Sequence, residues 1–111
     1  MTNSIQKGKR GEREVAKLLS DHGYWAERGQ QRSGSPDSPD VKHDIEGVYI
    51  EVKFTEKFSV YAALTQAEKD CGEKDIPVVF HRRRHKPWVV VMDAHQWMDL
   101  VNKVYREGKL S

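Results

Sequence analysis

Glu51 and Lys53 stand two residues apart in "VYIEVKF", Val48 to Phe54, a stretch that otherwise reads as a strand bound for a core. Strand side chains alternate, so Val48, Ile50, Val52 and Phe54 share one face and Tyr49, Glu51 and Lys53 the other, with Glu51 and Lys53 about 6–7 Å apart. From the strand alone, alternating Glu and Lys is ordinary solvent-facing chemistry on a half-exposed antiparallel strand. Two further acids open a chemical reading. Asp40 closes "SPDSPD" after a proline-stiffened loop. If the segment that follows pairs with the strand as a hairpin, its carboxylate lies beside Glu51. Neighbouring carboxylates raise each other's pKa unless a cation is bound, which makes a hard divalent ion such as Mg²⁺ the natural third party, with Mn²⁺ as its substitute. Glu12 shares a helical stripe with Val15, Ala16 and Leu19 that should face the sheet, where a lone carboxylate is costly unless paired or bound to metal. The plain alternatives are a turn role for Asp40 and a helix-dipole role for Glu12.

The elements that must position these groups follow from the rest of the chain. With 111 residues, 37% of them apolar and 32% charged, residues 1–111 suit one domain with a modest core. A net charge of +2 puts no acidic barrier before a nucleic-acid partner and does not prove one. No long apolar run or leader is visible, so we expect a soluble cytoplasmic protein without a membrane partner. The single cysteine, Cys71, allows no intrachain disulfide and is expected to be a reduced thiol. Helical spacing marks Gly11–Ser20, ended by Gly23; Tyr24–Glu27 reads as a strand, and Arg28–Pro39, rich in Gly, Ser and Pro, as a loop. A short strand in "DVKHDIEG" and a turn at Glu46-Gly47 lead back into Val48–Phe54 as a hairpin. A helix over Tyr61–Cys71, strands at Pro77–Phe80 and Trp88–Met92, and an amphipathic helix over His95–Arg106 complete the order α-β-β-β-α-β-β-α. The expected class is an α/β sandwich with helices covering a mixed sheet. Trp25, Trp88 and Trp97, and the stripe Trp97, Leu100, Val101 and Val104, are expected to pack in the core.

"KGKRGEREVAKLL", "SPDSPDV", "IEVK" and the helix containing "YAALTQA" together resemble the PD-(D/E)XK nuclease superfamily. More closely, they resemble small phage-encoded endonucleases similar to archaeal Holliday junction resolvases. The likeness runs from Lys7 to about Asp99. It implies a restriction-endonuclease-like sandwich with a four-stranded mixed core sheet, Mg²⁺-dependent phosphodiester hydrolysis and a DNA substrate. If the chain is phage-encoded, it would act in the host cell cytoplasm. By the same likeness Asp40 and Glu51 resemble the metal-binding carboxylates and Lys53 the catalytic lysine. Glu12 resembles the acid of the first helix, and Gln66 the glutamine that reaches back toward the site. Asp44, four residues after Asp40, is the alternative ligand; Asp40 is preferred because it matches the "PD" context.

Two basic groups bear on substrate: Lys7, Lys9, Arg10 and Arg13 on the first helix, and "HRRRHK", with Arg82, Arg83, Arg84 and Lys86, in the connection between two strands. Both could grip phosphates, and both have a solvated surface as their plain alternative. Arg32 and Ser33, with Gln30 and Gln31, could touch DNA from the loop. His22, His43 and His95 are too scattered for a metal cluster. The sequence thus favours a metal-dependent DNA endonuclease, structure-selective in the manner of a junction resolvase. A nicking or end-processing nuclease of phage DNA metabolism, and a nuclease-fold protein that binds without cutting, are the alternatives. A resolvase must cut two strands, so a homodimer belongs to the first reading.

Overall fold

Val15, Ala16 and Leu19 form the buried stripe of α1 (Ser4–Asp21) in the computed structural model, which describes residues 4–29 and 40–108. The helix begins earlier than its apolar pattern suggests and runs through Gly8 and Gly11. It ends at the expected place. Gly23 adopts φ 95°, its N–H donating to the Ser20 carbonyl at 3.0 Å while the Tyr24 N–H donates to that of Leu19 at 3.1 Å. Those paired bonds are a Schellman cap, which favours a residue without a Cβ. There follow β1 (Ala26–Arg28), β2 (Val41–His43), β3 (Val48–Phe54), α2 (Val60–Asp70), β4 (Ile76–Arg82), β5 (Val89–Val91) and α3 (Ala94–Gly108), the expected order. Asp93 caps α3, its Oδ1 accepting the N–H groups of His95 and Gln96 at 2.9 and 3.1 Å. Gln30, Gln31, Arg32 and Ser33 lie outside the described residues.

Strand pairing departs from the expectation. β2 does not form a hairpin with β3; it pairs antiparallel with β1, Ala26 opposite His43. β3 pairs parallel with β4, and β4 antiparallel with β5. Among the described residues, a two-stranded sheet and a three-stranded mixed sheet, ordered β3-β4-β5, replace the single four-stranded one. The Glu46-Gly47 turn is present, with Gly47 at φ 81°, but the Gly47 carbonyl accepts the Ile76 N–H at 2.7 Å and so aligns β3 with β4. A parallel pair needs a crossover, here α2, and a strand between two helices is covered on both faces. Tyr49 and Glu51, on the side expected to be half-exposed, are therefore only 5% and 4% accessible.

The alternation of β3 and β4 divides the core in two. Ile50, Val52 and Val78 pack with Val15, Ala16 and Leu19 of α1 and with Val41 of β2. On the opposite face Val79 packs with Ala63 and Ala67 of α2, alongside Phe58. The third helix is not absorbed into either cluster. Leu100 and Val104 line a shallow cleft with Ile45, Val48 and Ile76, but Trp97 and Val104 remain 51% and 64% exposed. Trp25 is 54% exposed, and only Trp88 of the three tryptophans packs against the core as expected. The stripe of α3 is correctly periodic but has no complete layer opposite it among the described residues.

Gly11 sets how closely α1 meets β3. A Cβ there would lie 2.9 Å from Phe54 Cβ, 3.3 Å from Val52 Cγ1 and 3.4 Å from Trp88 Cη2. Phe54 Cβ is fixed to the strand backbone and cannot swing aside. Gly11→Ala should therefore destabilise the protein by about 1–3 kcal/mol through overpacking, although alanine is the better helix former. Gly8, with nothing within 4 Å of its Cβ position, should give the opposite sign, Gly8→Ala adding up to about 1 kcal/mol. Urea denaturation of the two variants measures both.

Candidate active site

β4 occupies one edge of β3, leaving the N–H of Val52 on the other. That N–H donates to Asp40 Oδ2 at 2.7 Å, a buried bond that fixes the carboxylate just ahead of β2. Asp40 is 3% exposed and stands next to Glu51 by this route, although the two strands never pair. Glu12 approaches from α1, 8% exposed, its Oε1 accepting from Arg28 Nε of β1 at 2.8 Å. Lys53 Nζ lies 3.4 Å from Glu51 Oε2 and donates to Gln66 Oε1 of α2 at 2.9 Å. With Tyr49, Val52 and Asp70, these groups line one cavity of 170 Å³.

The cavity concentrates negative charge in poor solvent. Burial, opposed by the Val52 N–H and reinforced by Glu12, pushes the Asp40 carboxyl up to about 6. Burial and the charge of Asp40 push Glu51 up to about 7, with Lys53 pulling the other way. Glu12 is also raised, by burial, while Arg28 holds it down. Burial keeps the Tyr49 hydroxyl protonated well beyond its usual range. Three carboxylates whose charged forms disfavour one another are a donor set of hard oxygens suited to a divalent cation, which would offset both burial and mutual repulsion. Among the described residues no three such side chains are already gathered in a metal-binding arrangement; Glu12 is turned to Arg28, and one oxygen of Asp40 serves Val52. The chemistry of the set fits a hard dication.

Glu12, Asp40, Glu51, Lys53 and Gln66 are thus brought together, whereas Asp44 is exposed in the turn after β2 and does not line the cavity. Three participants escaped the sequence reading. Asp70 falls seven residues after Ala63 and three after Ala67 on the buried stripe of α2, so helical spacing alone could have found it. Arg28 was assigned to a loop, though a buried Glu12 demanded a cation. Tyr49 faces the same side of β3 as Glu51.

The basic residues divide differently from their sequence blocks. Lys7, Arg10, Arg82 and Arg84 line a separate cavity of 360 Å³ with Phe54 and His85. Lys9, Arg83 and Lys86 are exposed at its surroundings in sequence, and Arg13, exposed on α1, contributes to the field at Glu12. His81 and Arg82 belong to β4 rather than to the connection; His81 is 8% exposed, stacked on Phe58 at 3.8 Å. His43 Nδ1 accepts the Ile45 N–H, and His22 Nδ1 lies 2.9 Å from the Leu18 carbonyl. Cys71 is a free thiol whose pKa burial pushes up to about 11. Among the described residues no helix is long and apolar enough to cross a membrane.

Residues 3–102 match the family model described as archaeal Holliday junction resolvase (Hjc). No curated protein matches the chain.

The raised carboxyl pKa values make a statement about stability. Glu51 moves from 4.5 to about 7 and Asp40 from 3.8 to about 6 on folding, so between these limits the folded chain binds more protons than the unfolded one. Their contribution is complete below the unfolded values and is lost as pH rises through the folded ones. In EDTA the melting temperature should fall between pH 5 and pH 8 more steeply for wild type than for Glu51→Gln. At pH 8 the variant should be the more stable by about 1–3 kcal/mol. Thermal melts of both proteins at the two pH values test this, and equal slopes would contradict it.

Proposed function

The chain belongs to the archaeal Holliday junction resolvase family, metal-dependent, structure-selective DNA endonucleases of the PD-(D/E)XK superfamily, and from that premise we propose which of its residues carry the reaction. The observation that carries the assignment is the convergence of Glu12, Asp40, Glu51, Lys53 and Gln66 on one cavity from α1, the β2 approach, β3 and α2. Asp40, Glu51 and Glu12 would hold Mg²⁺, with Mn²⁺ as substitute. Bound there, the ion supplies charge screening of the phosphodiester and activation of water near neutral pH.

The chain's own groups do the rest. Lys53 is held between Glu51 Oε2 and Gln66 Oε1, at 3.4 and 2.9 Å, which fixes two directions of its ammonium and leaves the third N–H for a substrate oxygen or the attacking water. Its charge favours the negative charge that grows on the phosphate in the transition state. Gln66 is a positioning residue in this scheme. The Val52 N–H keeps Asp40 from rotating, and Arg28 keeps Glu12 at the cavity rim. DNA backbone would lie along Lys7, Lys9, Arg10 and Arg13, Arg82 at the end of β4, and Arg83, Arg84 and Lys86 of the β4–β5 turn; Arg32 and Ser33 are candidate contacts from outside the described residues.

One cavity serves one strand, whereas resolving a four-way junction requires two symmetric cuts, so we assign a two-fold dimer to the active form. Exposed apolar side chains of β5 and α3, among them Val89, Val90, Trp97, Met98, Val104 and Tyr105, would supply its interface.

Lys53→Ala and Glu51→Ala should each lower cleavage of a four-way junction by roughly 10²–10³-fold while retaining junction binding in EDTA. Removing the metal should abolish cutting by wild type. Full turnover by either purified variant would remove the site assignment. Light scattering should give twice the chain mass of 12.9 kDa for wild type, and Val90→Glu or Val104→Glu should return it to that mass. A wild type that is monomeric with and without junction DNA would overturn the dimer.

A further inference from the structure

The second cavity is built on an aromatic floor. Phe54, 5% exposed, has three cations about its ring: Arg82 at 4.5 Å, Lys7 at 4.8 Å and Arg10 at 5.4 Å from the centroid. Trp88 meets the same ring edge-on at 6.0 Å. Such contacts hold the long side chains in place over an apolar surface and reduce the entropy lost when they grip an anion. Glu14 neutralises part of the set, accepting from Arg10 Nε at 2.9 Å, Arg82 Nη1 at 2.8 Å and Trp88 Nε1 at 3.1 Å.

The remaining donors already hold an anion, supplied by the chain itself. Glu56 Oε2 accepts from Lys7 Nζ at 2.9 Å and from the backbone N–H of Arg84 at 2.8 Å. Glu56 comes from the segment after β3, and its partners from α1 and the β4–β5 turn. The turn is closed by the Lys86 N–H on the Arg83 carbonyl at 3.1 Å, with His85 in the left-handed region at φ 65°. Turns of this kind present backbone N–H groups to anions. The Glu56 side chain is 53% exposed and can swing into solvent without opening the core. The Lys7 and Arg84 bonds hold its carboxyl below the usual range, as expected for a site that favours negative charge.

We propose that the Lys7 and Arg84 donors of this cavity seat one backbone phosphodiester of DNA and that Glu56 is the built-in competitor for them, holding both donors until a phosphate displaces it. The inference rests on the reading of the chain as a junction-binding nuclease and adds a named subsite and its regulation. Lys7, Arg84 and Arg82 would hold the phosphate, and Phe54 would keep the cations fixed. Glu56 weakens contact with any DNA that does not deliver a phosphate to this point.

Anisotropy titrations of a four-way junction in EDTA, with the full chain over a range of salt, test the competition. Glu56→Gln should bind about threefold more tightly, with a log-log salt slope steeper by up to about one contact. Glu73→Gln, an exposed acid outside the cavity, removes the same charge and should change neither. If Lys7→Gln weakens binding but Glu56→Gln matches Glu73→Gln, the competitor role is overturned while the DNA surface stands. If Lys7→Gln has no effect, the cavity does not carry DNA and both fall. An amide NMR titration separates the sources of phosphate. The Arg84 N–H should shift on adding stoichiometric junction and show no saturable shift with millimolar inorganic phosphate; equal saturation by inorganic phosphate would overturn the assignment to DNA.

Discussion

A single backbone N–H on the open edge of β3 organises the acidic half of the molecule. Val52 cannot direct that N–H to β4, and leaving it unpaired in a buried place would cost about 1–3 kcal/mol. Asp40 Oδ2 takes it at 2.7 Å. The bond ties the β1-β2 sheet to the β3-β4-β5 sheet and places a carboxylate beside Glu51 without any strand pairing between them. It also limits what Asp40 can do: one oxygen is committed to the fold, and the other is free for the site. The neighbouring Glu12–Arg28 pair, 2.8 Å apart, anchors α1 to β1 around the same point.

That arrangement stores an electrostatic conflict. Asp40 and Glu51 are both nearly inaccessible, and burial raises both carboxyls, reinforced by the charge of Glu12 at Asp40 and by that of Asp40 at Glu51. Lys53 and Arg28 compensate in part, but each is itself shared with another partner or partly exposed. A fold selected for stability alone would place apolar side chains here, since buried charges seldom repay their desolvation. Their presence in a cavity with a lysine between two acceptors is what a site that binds a dication and an anionic substrate requires. The fold supplies rigidity, and under the proposed function a dication held there would relieve the conflict.

The strand that carries Glu51 and Lys53 was legible in the sequence, and its surroundings were not. Alternation in Val48–Phe54 identified β3, its apolar face and the shared side of Glu51 and Lys53, because a two-residue period leaves little freedom. Gly23 marked the end of α1 for the equally local reason that its backbone is left-handed. The partner of β3 is a long-range property. A Glu-Gly turn looks the same whether the chain folds back on itself or passes into another sheet, and the decisive bond, Ile76 N–H to Gly47 carbonyl, joins residues far apart in sequence. Polar residues on the far side of β3 suggested solvent when they faced α2. Asp70 was missed although its stripe was periodic, because attention to apolar residues discards an acid on the same face. Arg28 was missed because its role exists only once Glu12 is buried. In α3 the period was right and the inference of burial was not, since a stripe specifies a face without specifying what covers it.

The same alternation explains why two charged cavities of opposite sign can share one short strand. Glu51 and Lys53 point toward α2, while Val52 and Phe54 point toward α1, where Gly11 lets the helix approach closely enough to bring Lys7 and Arg10 over the Phe54 ring. The basic cavity lies over the Phe54 side of β3, while Glu51 and Lys53 reach the acidic one from the other side and Glu12 of α1 and Val52 complete its lining. Within the proposed function, a polyanion crossing the C-terminal end of β3 would meet the Lys7, Arg10 and Arg82 cations at one cavity and the acids with Lys53 at the other. The two cavities share no lining residue, although Arg13 of α1 still acts on Glu12. Within the proposed function, the seven residues of β3 set the register between the phosphate that is gripped and the phosphate that is cut.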